Sequence, residues 1–147
     1  MKKILCSLVL VCSLVLTLTG CTSTKAYTFD VETGDSIKIK LNTTDGYDIS
    51  SDLPFTISKD GKTLSQGTFI TMDGYNQYID TVNNDINSKV LDSGTKDGIT
   101  YTFYSYNSSE YNYIIKVDGS NTGILLGNPN SQVEAETIFN LLTFSVE

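Results

Sequence analysis

The sequence predicts an α+β fold that combines an antiparallel sheet with two helices. Three observations lead to this prediction. Most of the chain alternates apolar and polar residues as strands do, two segments instead show the apolar spacing of a helix, and Asp-Gly pairs separate several of the alternating runs. Strands that come in runs, with the helices kept apart from them, are typical of α+β proteins whose sheet is antiparallel.

The first half of the chain supplies strands and then a helix. Alternating patterns predict strands at residues 27–31, 37–41, 55–58 and 63–71, with the last two joined by a hairpin turn at Asp60-Gly61. The period then changes, and Asp73 is the predicted N-cap of a helix. The apolar residues that would form one face of this helix are Tyr75, Tyr78, Ile79, Val82 and Ile86.

The second half predicts a meander of strands followed by a terminal helix. Strand patterning returns at residues 90–91 and continues at 99–106, 111–117 and 123–126, and Pro129 ends the last strand. Ser131 and Glu134 have the spacing of a capping box, in which each side chain satisfies a free backbone N–H at the helix start. The face of this second helix is predicted from Ala135, Ile138, Phe139 and Leu142, followed by an apolar tail at residues 144–146.

The first twenty residues have the organisation of an export signal. Lys2 and Lys3 precede an apolar stretch at residues 4–18. A bilayer-spanning helix needs about 20 apolar residues, so this stretch is short for a membrane span and suits the core of a signal peptide. We therefore expect residues 1–20 to be a signal peptide, with a transmembrane segment as the alternative.

The residues after this core, Leu18-Thr19-Gly20-Cys21, resemble the lipobox of bacterial lipoproteins. The resemblance implies that the signal is cut before Cys21 and that its thiol carries a lipid anchor, with palmitate among the acyl chains. An ordinary export signal with an incidental cysteine is the alternative. Residues 21–26 are then expected to be a lipidated tether and residues 27–147 a single α+β domain.

The cysteines agree with this expectation. Cys6 and Cys12 lie in the segment to be removed, so the mature chain keeps only Cys21, and no disulfide can form. The domain therefore has to be stable through its core alone.

Part of the second half resembles the Mog1/PsbP-like group of α/β/α sandwich proteins. The residues that carry the resemblance are the tyrosine-rich arm at 97–101, the strand at 111–117 and the ending at 136–144. The resemblance implies a closing helix with a short strand after it, and a role in binding protein partners without a shared active site. The chain has no Trp, so the aromatic-proline-tryptophan segment common near the start of such domains has no counterpart here.

Composition excludes several classes of function. The chain carries 10 basic and 17 acidic residues, a net charge of −7, so nucleic acid is not an expected partner. It has no histidine and no recognisable catalytic or phosphate-binding motif, and we expect no enzyme, no cofactor and no metal site. One polar cluster could supply oxygen ligands for calcium, although a solvated helix end is the favoured interpretation. That cluster is Asp80, Asn83, Asn84, Asp85 and Asn87.

Tyrosines are the candidate binding residues. A hairpin centred near Ser108 could place Tyr104 and Tyr106 beside Tyr111 and Tyr113. Tyrosine combines apolar area with a polar tip, which suits sugar stacking and protein interfaces alike. The alternative is that these rings cap the core beneath the helices.

The sequence thus favours a non-enzymatic binding or accessory module for a protein or a cell-envelope component. We expect the lipid on Cys21 to hold it at the extracytoplasmic face of a cell membrane, and lysine without arginine is typical of a Gram-positive source. The alternatives are a small ligand-binding lipoprotein associated with a transporter and, less favoured, an envelope enzyme.

Overall fold

A computed structural model describes residues 23–128 and 131–147 of the chain. The expected signal peptide at residues 1–20, the lipidation site Cys21 and the strand-ending Pro129 lie outside the described residues. None of the described helices is long and apolar enough to span a membrane.

Two antiparallel sheets and two helices make up the described domain. The larger sheet has seven strands in the order β3-β4-β5-β9-β8-β7-β6, and the smaller has three in the order β1-β2-β10. In chain order the elements are β1 (Thr24–Asp30), β2 (Ser36–Asn42), β3 (Tyr47–Ile49), β4 (Phe55–Lys59), β5 (Lys62–Thr71), α1 (Met72–Asn84), β6 (Ser88–Lys96), β7 (Ile99–Tyr106), β8 (Glu110–Val117), β9 (Thr122–Asn128), α2 (Gln132–Leu141) and β10 (Leu142–Val146). The predicted α+β class is confirmed.

Two-residue turns set the register of two predicted hairpins. Asp60-Gly61 joins β4 to β5, and Asp97-Gly98 joins β6 to β7, with positive φ at all four residues. Turns of this kind match the right-handed twist of the flanking strands, and Asp-Gly supplies the left-handed backbone at low cost. Strands β6 to β9 consequently pair in sequence order, as the predicted meander requires.

The main core lies between the seven-stranded sheet on one side and the small sheet with α2 on the other. Ile37, Ile39 and Leu41 of β2 face it and are fully buried, as are Ile115 and Ile124 of the large sheet. Helix α1 covers part of the opposite face of the large sheet, where Tyr75 packs close to Gly123. The large sheet is therefore buried on both faces over part of its area.

Strand β1 begins at Thr24, earlier than the expected start of the domain at residue 27. Residues 24–26 were expected to belong to the tether, but they pair with residues 40–42 of β2. Backbone pairing with the neighbouring strand satisfies their polar groups, so the short polar side chains do not prevent a strand. The segment between Cys21 and the fold is correspondingly shorter.

Helix α1 differs from its prediction at both ends. Thr71, rather than Asp73, is the N-cap, because its side-chain oxygen accepts a hydrogen bond from the backbone N–H of Gly74. The helix ends at Asn84, where the chain turns extended to reach β6. Ile86 therefore lies beyond the helix and is 95% exposed, and Val82 is the helix residue that is fully buried.

Candidate functional site

The four candidate tyrosines do not share one face of the sheet. In the β7–β8 hairpin, Phe103 pairs with Tyr113 and Tyr104 pairs with Asn112. Directly paired residues point to the same face, so Tyr104 and Tyr106 lie on one face while Tyr111 and Tyr113 lie on the other. The predicted side-by-side arrangement is wrong.

The length of the connecting loop explains this outcome. Residues 107–109 form a three-residue loop, and Tyr106 pairs with Glu110. A loop with an even number of residues would have shifted the register by one residue, and such a shift moves every side chain to the opposite face.

Tyr113 belongs to the core rather than to a surface. It is 3% exposed, and its ring stacks between Phe103, 4.3 Å away between centroids, and Phe139 of α2, 4.0 Å away. Burial raises the pKa of its hydroxyl far above the usual value, with smaller contributions from Glu136 and other neighbouring groups. Tyr111 is half-buried at the edge of this core, and its hydroxyl donates to the carbonyl oxygen of Ser108. For Tyr113 and Tyr111, the structure therefore agrees with the alternative interpretation, in which these rings cap the core beneath a helix.

Tyr104 lies at the edge of a groove on the other face of the large sheet. The groove has a volume of about 680 Å³, within the range of about 300–1,000 Å³ that is typical of small-molecule sites. Strands β5, β7, β8 and β9 contribute to it. Its lining includes Gln66, Thr68, Tyr104, Glu110, Asn112, Leu125 and Gly127.

The diagonal path of α1 leaves this groove open. The helix starts after Thr71, which pairs with Thr122 at one end of the sheet. After the helix the chain reaches Ser88 of the edge strand β6. Ser88 pairs with Tyr106 at the opposite end of the large sheet from Thr71. The corner formed by the Asn128 end of β9, with the adjoining parts of β5 and β8, is therefore not covered by α1.

The absence of a side chain at Gly127 leaves space at the floor of the groove. Gly127 pairs with Gln66 on one side and with Asn112 on the other. A Cβ atom at Gly127 would lie 3.3 Å from the Oδ1 atom of Asn112, so the amide of Asn112 lies over the glycine backbone. The side-chain amides of Gln66 and Asn112 thus lie on the two strands that flank Gly127.

The groove presents polar side chains that are free to bind a ligand. Within residues 23–128 and 131–147, no hydrogen bond involves the side chains of Gln66, Tyr104, Glu110 or Asn112. Burial raises the pKa of the Tyr104 hydroxyl, and the nearby Tyr78 and Glu110 raise it further. Tyr104 therefore remains a neutral hydroxyl, able to donate and accept, throughout the physiological pH range.

The charge of the groove limits what it can bind. Glu110 is the one charged residue among the described lining residues. A site with a carboxylate and no cation disfavours phosphates and carboxylates, because nothing compensates for their loss of hydration. Neutral ligands and ligands with an amine are compatible with it.

No metal site forms among the described residues, since nowhere do three or more His, Cys, Asp or Glu side chains group together. In the cluster considered for calcium, Asp85 accepts hydrogen bonds from the backbone N–H of Asn87 and the hydroxyl of Ser88. The Asn84 side chain donates to the carbonyl oxygen of Asp80. These contacts close the end of α1 and lead the chain into β6.

Gln66, Glu110 and Asn112 were not identified from the sequence. Gln66 and Asn112 are polar residues in strand patterns and Glu110 directly precedes one, and such positions are ordinarily solvent-facing. What distinguishes them is the uncovered corner beside α1, which depends on where the helix crosses the sheet. The signal available in the sequence was Gly127, directly after the predicted strand at 123–126, since glycine inside a strand often marks a close approach.

Comparisons of the chain with models of protein families, with curated protein sequences and with solved structures found no match.

Proposed function

We propose that this protein is a lipid-anchored, non-enzymatic binding module at the extracytoplasmic face of a Gram-positive cell membrane, and that its groove binds a neutral glycan of the cell envelope. The observation that carries the proposal is the groove itself. It combines free amide, hydroxyl and carboxylate side chains with the apolar surfaces of Leu125 and the Tyr104 ring.

The ligand class follows from this chemistry. A sugar ring has hydroxyls around its rim and C–H groups on its faces, so it needs donors and acceptors beside an apolar surface. Gln66 and Asn112 each supply both a donor and an acceptor, and Glu110 accepts from hydroxyls. An N-acetylated sugar adds an amide that complements these side chains and a methyl group that suits Leu125.

A peptide strand is a weaker candidate for the same groove. Peptides often bind by adding a strand to the edge of a sheet, where the backbone groups are free. Strands β5 and β8 are both paired on two sides, β5 by β4 and β9, and β8 by β7 and β9. A ligand in the groove therefore has to be recognised mainly through side chains.

Isothermal titration with chitohexaose, a neutral hexamer of N-acetylglucosamine, tests the proposal on a chain that begins at Ser23. We expect binding, and we expect Gln66→Ala and Asn112→Ala each to weaken it about fivefold, because a hydrogen bond contributes about 1 kcal/mol. Gln77→Ala, on an exposed part of α1 outside the groove, is the matched control. Absence of binding, or equal weakening by the control, would refute the proposal.

A transporter-associated protein for small ligands is the second candidate. The groove volume supports it, because 680 Å³ also suits a single small molecule. Binding of monomeric N-acetylglucosamine as tightly as the hexamer would favour this second function. The resemblance to the Mog1/PsbP-like group also remains a proposal, supported by the order of α2 and β10 at the chain end.

A further inference from the structure

The first strand begins very close to the proposed lipid anchor. Thr24 opens β1 and lies three residues after Cys21. Consecutive Cα atoms are 3.8 Å apart, so Cys21 and Thr24 are separated by at most about 11 Å in any conformation. The end of the domain that contains Thr24 therefore has to stay near the membrane surface when Cys21 is lipidated.

Hydrogen bonds and one ion pair define this end, which we call the anchor end: Ser23, Lys25, residues 43–48 and residues 59–62. Thr43 donates its backbone N–H to the carbonyl oxygen of Ser23, and the Lys25 Nζ atom lies 2.7 Å from the Oδ1 atom of Asp48. Asp60 in the turn between β4 and β5 donates its N–H to the carbonyl oxygen of Gly46. The loop, the turn and the start of β1 thus form one surface.

A second group of loops forms the opposite end, which we call the far end: residues 30–36, 97–98 and 118–122. The Asn121 N–H donates to the Oδ2 atom of Asp35 at 2.8 Å, and the Asp118 N–H donates to the carbonyl oxygen of Gly98 at 2.9 Å. Strand β1 runs from the anchor end to the far end, and its seven residues span about 20 Å.

Charge is divided unequally between the two ends. The anchor end holds three lysines and three aspartates, so it is neutral. The far end holds five acidic residues and no lysine, namely Asp30, Glu32, Asp35, Asp97 and Asp118. The strong negative charge of the mature chain therefore lies outside the surface nearest the anchor.

We propose that the domain stands on its anchor end, with residues 43–48 and 59–62 against the headgroups of an anionic membrane and the far end pointing away. This inference rests on the proposed lipid anchor. Acidic groups within about 8 Å of an anionic surface are repelled at physiological salt, so tilting the far end toward the membrane is unfavourable. Lys59 and Lys62 at the anchor end interact favourably with the same surface.

This orientation also brings the groove close to the membrane surface. Thr63, which lines the groove, directly follows Lys62 of the anchor end. A glycan bound in the groove is therefore held close to the membrane surface rather than at the top of the domain.

Quenching of a fluorescent label tests the orientation in the full lipidated protein. The lipid occupies the Cys21 thiol, so a cysteine introduced at Thr44 on the anchor end or at Glu32 on the far end is the one that reacts with the label. Both side chains are exposed. In vesicles of phosphatidylcholine and phosphatidylglycerol with spin-labelled headgroups, we expect quenching at Thr44→Cys to exceed that at Glu32→Cys by about threefold or more, because quenching by a spin label falls steeply with distance and the two ends lie about 20 Å apart along β1.

Charge variants and flotation complete the test. Lys62→Glu should reduce the difference between the two labels in the anionic vesicles, whereas Lys116→Glu, at a lysine of β8 next to the far end, should not reduce it. Equal quenching of the two labels in protein that floats with the vesicles overturns the orientation while leaving the anchor intact. Protein that carries no lipid and does not float overturns both the orientation and the anchor.

Discussion

Aromatic stacking at a few residues fixes the centre of the core. Tyr113 lies between Phe103 and Phe139, with interplanar angles of 13° and 10°. Tyr101 adds a tilted contact, 5.0 Å from the Phe139 ring. These rings connect β7 and β8 to α2, so the loss of one of them removes packing from the large sheet and the helix at once.

Truncation of Tyr113 and of Tyr104 should have different effects on stability, because the first residue lies in the core and the second borders the groove. Tyr113→Ala should lower the free energy of unfolding by about 3–5 kcal/mol, as for other large buried aromatic residues. Tyr104→Ala should lower it by about 1 kcal/mol, because Tyr104 borders an open groove and makes no hydrogen bond among the described residues. Urea unfolding of the two variants measures both values, and equal losses would contradict the assigned positions.

Asp35 should make stability depend on acidic pH. Its pKa lies below the usual value of an aspartate, first because the Thr122 hydroxyl donates to its carboxylate and then because the Asn121 N–H does. A lowered pKa in the folded state means that the stabilisation is present above about pH 4 and is lost as the pH falls through the folded-state value.

The test compares melting temperatures from pH 7 to pH 2. Asp35→Asn should melt below the parent at pH 7, and the difference should shrink as the pH falls toward 2. Asp118→Asn is the control, since no hydrogen bond to its carboxylate is found among the described residues. A difference for Asp35→Asn that stays constant over the whole range would show that the carboxylate charge does not contribute.

At the scale of elements, α2 attaches to the sheet through one face. Ala135, Ile138 and Phe139 are buried, whereas Val133 on the other face is 73% exposed. Ser131 starts the helix by accepting a hydrogen bond from the N–H of Glu134, as the capping pattern predicts.

Two substitutions within this helix provide a matched pair. Phe139→Ala should cost about 3–5 kcal/mol of unfolding free energy because it leaves a cavity against Tyr113. Val133→Ala should change stability by less than about 0.5 kcal/mol, because its side chain is largely in water. A loss below about 1 kcal/mol for Phe139→Ala, from denaturant unfolding, would mean that the helix does not pack through this ring.

Elements were more predictable from the sequence than their contacts. Local rules place the Asp-Gly hairpins and the start of α2, because turn chemistry and capping depend on residues only a few positions apart. The side-by-side prediction for the tyrosines was wrong because the apolar residues of both strands have to share the core face, which pairs Phe103 with Tyr113 and turns Tyr104 to the other face. The groove depended on where α1 crosses the sheet, a matter of tertiary packing that no local pattern encodes.

At the scale of the whole molecule, the proposed anchor and the distribution of charge favour the same orientation. Residues 23–128 and 131–147 contain no cysteine, so the described domain relies on a core shared by the two sheets and α2 rather than on disulfides. Cys21, the proposed anchor, precedes Thr24 by three residues, and the acidic far-end loops lie at the opposite end of β1. In the proposed orientation, the acidic loops therefore face away from the membrane.

Replacement of the anchoring thiol tests the membrane attachment. Cys21→Ser should abolish incorporation of labelled palmitate and block normal removal of the signal, because the proposed thioether needs this sulfur. Metabolic labelling followed by membrane fractionation measures both effects. Label retained by the Cys21→Ser protein would contradict the anchor.

The central claim, that the groove binds a neutral glycan, is tested most directly by the backbone amide NMR signals of the chain beginning at Ser23 during titration with chitohexaose. We expect shifts concentrated at the groove, at Gln66, Gly67, Asn112, Leu125 and Gly127, with the far-end loops unchanged. The absence of shifts at saturating ligand, or shifts centred on the small sheet or α2, would contradict it.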